Sequence, residues 1–284
     1  MDQWQPASQG STPEIIYQYT TPGGLLGIIQ NKCLWATSAR YLNDTSEMKH
    51  GVSTVRKIVK TLYGGKYAKS ADRIADLSDT SVESNPPCVT SFSSQDDLLS
   101  QWRAYGGACG GYAIGFNCDA IREVFPKKMG RFRRCRYTES DQRALVEDYW
   151  RHWEGRFSAA RSGSNGEEDN GNAEVQSLIL RIPVEIVPFL KNESFREEKE
   201  WRGVVAANMN NGVKGGGIKF REKGNELVPY VEVRLPSPLP VKRIVVGPCP
   251  RPKESEDSVK LFLRTHGLEH VEVAQSKCPY RGWP

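Results

Sequence analysis

The longest apolar stretches in this chain are no longer than a strand, as at Ile244 to Gly247. A helix that crosses a bilayer needs about eighteen or more consecutive apolar residues, so none is expected here. Helices in such a chain must be amphipathic and strands short, which calls for a layered fold with a core shared among many elements. With 284 residues and 38% hydrophobic content, the sequence can supply one large core or two small ones. The opening Met1-Asp2-Gln3-Trp4-Gln5-Pro6 has no basic segment followed by a greasy one, so no secretory leader is expected. Seven cysteines, an odd number without paired close spacing, suggest neither a disulfide framework nor a zinc knuckle. The expectation is a soluble cytoplasmic protein with reduced thiols and no membrane partner.

Hydrophobic periodicity divides the chain unevenly. Tyr17 to Tyr19 reads as a strand, and Thr20-Thr21-Pro22 supplies a capping hydroxyl and an early proline for a helix ending at Asn31. Further strands are expected at Leu34–Thr37, Cys88–Phe92 and Tyr112–Phe116. Helical spacing covers Glu47–Leu62, Tyr67–Leu77, Asp96–Tyr105, a short segment from Asp119 and, longest of all, Glu139–Arg156. Strands return at Trp201–Ala206, Ile218–Arg221, Val228–Leu235, Arg243–Val246 and Val271–Ala274, with a helix at Ser255–Thr265. Trp201–Ala206 and Ile218–Arg221 are expected to pair as neighbours. Tracts rich in Gly, Ser and Asn near 160–173 and 208–217 read as flexible insertions. Helices early and strands late predict an α+β fold over 1–284, one domain of catalytic type, rather than alternating α/β units.

The formal charge of +5 permits a phosphate-bearing partner without requiring one. The densest basic stretch holds Lys127, Lys128, Arg131, Arg133, Arg134 and Arg136; it reads as a solvated loop and edge strand, or as a nucleic-acid contact. Four polar segments are candidates for chemistry. Tyr17-Gln18-Tyr19-Thr20 lies at a strand-to-helix junction, where backbone donors can meet an anion or simply cap the helix. Arg40-Tyr41-Leu42-Asn43-Asp44 with Glu47 is either a capping arrangement or a site wall. Ser91-Phe92-Ser93 places two hydroxyls on one side of a strand, and Gln101-Trp102-Arg103-Ala104-Tyr105 brings an amide, an indole and a guanidinium nearby. Finally, if Glu198 begins the strand through Trp201, Glu198 and Glu200 share a face, where two carboxylates are costly to bury unless paired or used. No phosphate-binding Gly-Lys-Ser/Thr loop, dinucleotide fingerprint or serine nucleophile elbow is present. With four histidines, of which His266 and His270 flank Gly267, no histidine metal site is expected.

In order along the chain, Tyr17-Gln18-Tyr19-Thr20, Leu34-Trp35-Ala36-Thr37, Tyr41-Leu42-Asn43-Asp44, Ser91-Phe92-Ser93, Leu99 to Gly106, Gly111 to Phe116, Glu198 to Arg202 and Val228-Pro229-Tyr230 resemble a prokaryotic family of unknown function, number 2971. A more distant resemblance is to ADP-ribosyltransferases, in the order Tyr19-Thr20, Ser91-Phe92-Ser93 and Glu198-Lys199-Glu200. That likeness implies a mixed, mostly antiparallel split sheet flanked by helices, with NAD as substrate and no metal. It implies Glu200 as the catalytic glutamate on the nicotinamide ribose and Glu198 as the group orienting or activating the acceptor. Tyr19, Thr20, Arg40, Asn43, Ser91, Ser93, Trp102, Arg103 and Tyr105 would contact NAD. Tyr19 stands where those enzymes carry His or Arg, so Arg40 or Arg103 would have to substitute. Lys127, Lys128, Arg131, Arg133 and Arg134 would meet a nucleic-acid acceptor, a protein acceptor being the alternative. The resemblance also suggests anti-phage defence and a neutralising or regulatory partner protein. Rival expectations are plain NAD hydrolysis, a non-catalytic nucleotide-binding module, and a nuclease holding magnesium on Asp44, Glu47, Glu198 and Glu200.

Overall fold

A computed structural model describes residues 11–42, 46–62, 86–107, 110–125, 130–163, 181–206 and 217–279. These residues form one α+β fold around a mixed, mostly antiparallel sheet with helices on both faces. Strand β1 (Ile15–Thr20) leads into helix α1 (Pro22–Asn31). The Thr21 hydroxyl caps α1 by accepting from the Gly24 amide at 3.3 Å, with Pro22 in the first turn. Lys32, with φ of 51°, turns the chain out of α1 into β2 (Cys33–Ser38). Helix α2 covers residues 47–62. Then come β3 (Cys88–Ser93), α3 (Leu99–Tyr105), β4 (Tyr112–Asn117), α4 (Cys118–Val124), β5 (Gly130–Arg134) and α5 (Glu139–Gly163). A helical turn α6 (181–185) precedes 3-10 turns at Val187–Phe189 and Glu193–Glu198. The remainder is β6 (Glu200–Val205), β7 (Lys219–Lys223), β8 (Glu226–Arg234), β9 (Val241–Val246), α7 (Pro252–Arg264) and β10 (Glu272–Gln275).

The sheet runs β10-β9-β4-β1-β3-β2-β8-β7, and β6 pairs with β3 and β5. Only β9 and β10 run parallel among these pairs. Strand β3 is the hinge of the arrangement. Along one edge it pairs with β6 over its full length, from Cys88↔Val205 to Ser93↔Glu200. Along its other edge it meets β2 only at Thr37↔Val89 and Ser38↔Cys88, and β1 only at Tyr17↔Ser93. Both β1 and β2 are antiparallel to β3, so they diverge from it at opposite ends and leave a wedge between them.

Side-chain alternation sorts the two faces. On one, Ile16, Leu34, Phe92, Ile114 and Trp201 pack against Leu25 and Ile29 of α1, Ile121 of α4 and Leu263 of α7. On the other, Val89 and Val204 pack against Val55 and Val59 of α2, Tyr149 and Trp150 of α5 and Ile182 of α6. A smaller cluster joins Tyr17, Tyr19 and Ala113 to Trp102 of α3. Among the described residues, no helix is long and apolar enough to cross a membrane.

Several expectations change. The strands on either side of the 208–217 tract do not pair: β6 joins β3 and β5, while β7 joins β8. Helix α3 starts at Leu99 rather than Asp96, because the Asp97 carboxylate accepts from the Trp102 indole at 2.7 Å and from the Lys277 amide at 2.7 Å, which holds the preceding segment extended. Helix α5 extends past Arg156 to Gly163, so the start of the 160–173 tract is helical; its remainder, the tract at 208–216 and the helix expected at Tyr67–Leu77 lie outside the described residues.

Candidate functional site

The wedge between β1 and β2 opens into a cleft of about 720 Å³. Its walls are Gln18 and Thr20 of β1, Trp35 and Thr37 of β2, Gln101 and Tyr105 of α3, and Arg221 and Lys223 of β7, with Thr90 and Ser91 of β3 between them. Gln18 bridges the gap where backbone pairing stops, its Nε2 donating to Thr90 Oγ1 at 3.0 Å. The Gln18 Oε1 atom is buried without a partner. Gly24 lines the same mouth, and a Cβ there would lie 1.8 Å from Thr20 Oγ1. The absence of a side chain at that position is what lets the Thr20 hydroxyl stay at the opening. A cleft of this size with apolar walls and a few convergent polar groups has the form of a small-molecule site.

Beyond Tyr105, on the same face of the sheet, lies a buried cluster of charge. Arg202 of β6 donates to both oxygens of Glu47, at 2.8 and 2.9 Å, and through Nε to Glu200 Oε1 at 2.7 Å. Its Nη1 donates to the Pro188 carbonyl at 2.8 Å. Lys191 donates to Glu200 Oε2 at 2.6 Å, lies 3.3 Å from Glu47 Oε1 and is hydrogen-bonded to Glu198. Glu47, Lys191, Glu200 and Arg202 are all buried. Burial disfavours the Glu200 charge, but the Arg202 and Lys191 cations more than offset it and hold the carboxyl at about 2. Burial likewise opposes the charge on Lys191, yet Glu200 beside it keeps the ammonium protonated. Three carboxylates face two cations, leaving one negative charge in excess. At Glu198 burial outweighs the pull of Lys191, and with the Glu200 charge beside it raises the carboxyl above the usual range. Tyr105, 37% exposed on the cleft wall, connects the two regions. Burial first, then the Glu200 and Glu198 charges, push its phenol up to about 12.

Of the residues expected to contact NAD, Tyr19, Thr20, Ser91 and Tyr105 meet on the cleft. Trp102 does not: it is fully buried, edge-on to Tyr19 at 4.6 Å, with its indole hydrogen used by Asp97. Ser93 is also interior, donating to the Glu198 carbonyl at 2.7 Å, so it fixes that backbone rather than facing a ligand. Arg40 and Arg103 are exposed and do not line the cleft, so neither supplies the early ribose contact. Asn43 lies outside the described residues, as do Asp44, Lys127 and Lys128. Glu198 belongs to a 3-10 turn and not to β6; the left-handed Lys199 separates it from Glu200, and the two carboxylates converge on Lys191 instead of sharing a strand face. The basic strand is an edge strand, yet Arg131 and Arg133 point inward. Arg131 is paired with Glu185, and Arg133 donates to the Glu185 carbonyl at 2.7 Å. Burial and then the Arg131 charge bring Arg133 down to about 9, so of these three arginines only Arg134 is exposed to an acceptor.

Glu47, expected as a cap, a site wall or a nuclease ligand, instead pairs with Arg202, and Gln18 of the first candidate segment does line the cleft; Lys191, Thr90, Arg221 and Lys223 are not among the expected site residues. Lys191 does carry a signal, a lone cation directly after the apolar run Val187-Pro188-Phe189-Leu190. So do Lys219, Arg221 and Lys223, whose period of two puts three cations on one strand face. Of the carboxylates expected to hold magnesium in a nuclease, Glu47, Glu198 and Glu200 are engaged by Lys191 and Arg202, while Asp44 lies outside the described residues. Among the described residues no group of three metal-ligating side chains gathers as a metal site. No curated protein and no solved structure matches the chain. Residues 101–203, the stretch that carries Tyr105, Lys191, Glu198, Glu200 and Arg202, match the model of a family described as a protein of unknown function, DUF2971.

Proposed function

We propose that the cleft binds NAD and that the protein is a mono-ADP-ribosyltransferase-like enzyme, moving ADP-ribose to a nucleic-acid or protein acceptor. The observation that carries this reading is the juxtaposition of a nucleotide-sized cleft at a split in the sheet with a carboxylate cluster just behind its Tyr105 wall. In this reaction the glycosidic bond breaks, its electron pair leaves with nicotinamide, and positive charge develops on the ribose. A fixed negative field stabilises that charge where it forms. The excess carboxylate in the Glu47–Lys191–Glu198–Glu200–Arg202 cluster supplies such a field. The acceptor nucleophile then bonds to the ribose carbon and gives up its proton. Glu198, whose carboxylate burial makes more basic than a free one, is the group that takes it in this scheme. Glu200 acts in this scheme through Lys191, as a positioning residue. When water is the acceptor the same steps amount to NAD hydrolysis.

The test is release of nicotinamide from NAD by purified protein, with and without lysate or nucleic acid, beside Glu198→Gln and Glu200→Gln. Release by the parent protein and a loss on the order of a hundredfold or more in Glu198→Gln is the expected result. One feature favours a second reading, a non-catalytic nucleotide-binding module: the Glu200 carboxylate is already occupied on both oxygens by Arg202 and Lys191. Binding of NAD by folded protein without nicotinamide release under any of these conditions would establish that reading instead.

A further inference from the structure

The cleft is electrically lopsided. Its Tyr105 end feels the Glu198 and Glu200 carboxylates. Its far end holds Arg221, which reaches from β7 across β8 to β2 and donates through Nη2 to Thr37 Oγ1 at 3.2 Å. The guanidinium lies over the Trp35 ring, 5.6 Å from the centroid, and Trp35 is braced by Tyr230 at 4.7 Å. Stacking on an indole fixes the plane of the fork. Among the described residues no carboxylate pairs with Arg221, and its Nε is buried without an acceptor. A partly buried guanidinium in a cavity, held flat and lacking an anion, is a phosphate-binding geometry. The chamber is far larger than a phosphate ion, so the anion belongs to a larger ligand. Two adjacent strand spacings, roughly 10 Å, separate β2 beneath the guanidinium from β6 beneath the carboxylates.

We propose that Arg221 is the phosphate anchor of the cleft, so that a nucleoside diphosphate moiety lies toward β7 and any cationic or electron-poor group of the ligand lies toward Tyr105 and Glu198. This deepens the NAD reading and rests on it for orientation: the pyrophosphate at Arg221 directs the positively charged nicotinamide toward the acidic end. The polarity of the site also selects against a ligand that is anionic at both ends.

Equilibrium binding of NAD, ADP and adenosine to the full chain, beside Arg221→Ala and Arg221→Lys, tests the assignment. Loss of a charged hydrogen-bond donor is expected to weaken NAD and ADP by roughly 10- to 100-fold. Arg221→Lys should restore only part of this, because an ammonium is a point charge rather than a planar fork. Adenosine, having no phosphate, should bind the parent and both variants alike, which also reports that the variants are folded. Equal weakening of adenosine and ADP, or unchanged ADP binding in Arg221→Ala, would overturn the proposal. The two readings fail separately. Nicotinamide release that survives with unchanged NAD affinity in Arg221→Ala removes the anchor and leaves the enzyme. Arg221-dependent ADP binding without any nicotinamide release removes the enzyme and leaves the anchor.

Discussion

Glu198 and Glu200 share one lysine, yet their surroundings drive them in opposite directions. Glu200 is saturated by Arg202 and Lys191 and stays ionised down to about 2. Glu198, at the edge of the cluster, is raised by burial. Because the folded-state value of Glu200 lies below its unfolded value near 4.5, its contribution to stability is complete above about pH 4.5 and is lost as pH falls toward 2. A depression of that size corresponds to roughly 3 kcal/mol. Glu198 has the reverse sign: its ionisation costs stability as pH rises through its unfolded value. Urea unfolding should therefore show Glu200→Gln destabilised by about 3–5 kcal/mol at pH 7, since the change strips a buried pair of one partner. The gap between parent and variant should narrow as pH falls below about 4.5 and close only near pH 2. Glu198→Gln should stay within about 1 kcal/mol of the parent at pH 7, because it also removes the excess charge. Similar losses in both variants would show that Glu198 is as structural as Glu200, and would undercut its assignment as the acid–base group.

At the scale of elements, β6 and β3 form the spine from which both half-sheets diverge, and β6 depends on a residue without a side chain. A Cβ on Gly203 would fall 2.0 Å from Cζ of Phe125, whose ring stacks on Phe132 at 5.8 Å; Phe132 in turn stacks on Trp201 at 5.5 Å. Gly203→Ala should consequently cost about 1–3 kcal/mol by overpacking, visible as a lower urea midpoint with an unchanged m-value. The alternation of Trp201-Arg202-Gly203-Val204 made β6 legible as a strand, and Thr21-Pro22 made the start of α1 legible to the residue, because both signals are local. The wedge was not legible. It follows from where β3 stops pairing with β1 and β2, which depends on residues 50 or more apart in the chain. The same limit hid the inward turn of Arg131 and Arg133. A basic run reads as surface until a buried carboxylate, here Glu185, is known to lie opposite it. The Glu198–Glu200 pair was found as a candidate, but its cations, Lys191 and Arg202, and its third carboxylate, Glu47, are joined only by folding.

For the whole molecule, the cleft is where the two halves of the sheet are least connected. On one side of it β1, β4, β9 and β10 hang together, and on the other β2, β8 and β7 do. Across the wedge itself the described side chains contribute the single Gln18–Thr90 hydrogen bond. A ligand that touches Thr20, Thr90, Tyr105 and Arg221 at once would tie both halves to β3, and it would bind only the folded chain because these residues converge only there. Mass action then stabilises the protein by about 2.7 kcal/mol when free ligand is a hundred times its Kd. For a domain of this size that should raise Tm by roughly 5–10 °C. Calorimetric scans with NAD at that concentration are expected to show this rise in the parent protein. Arg221→Ala at the same NAD concentration should show a smaller one, with its ligand-free Tm lowered by only about 2 °C, because the Thr37 hydrogen bond and Trp35 stack that it loses are offset in part by removal of a buried, unpartnered Nε. A ligand-free Tm that itself falls by several degrees would mean that the stack of Arg221 on Trp35 holds β7 to β2. In that case the reduced ligand shift would report a damaged wall, and adenosine binding would fall with it.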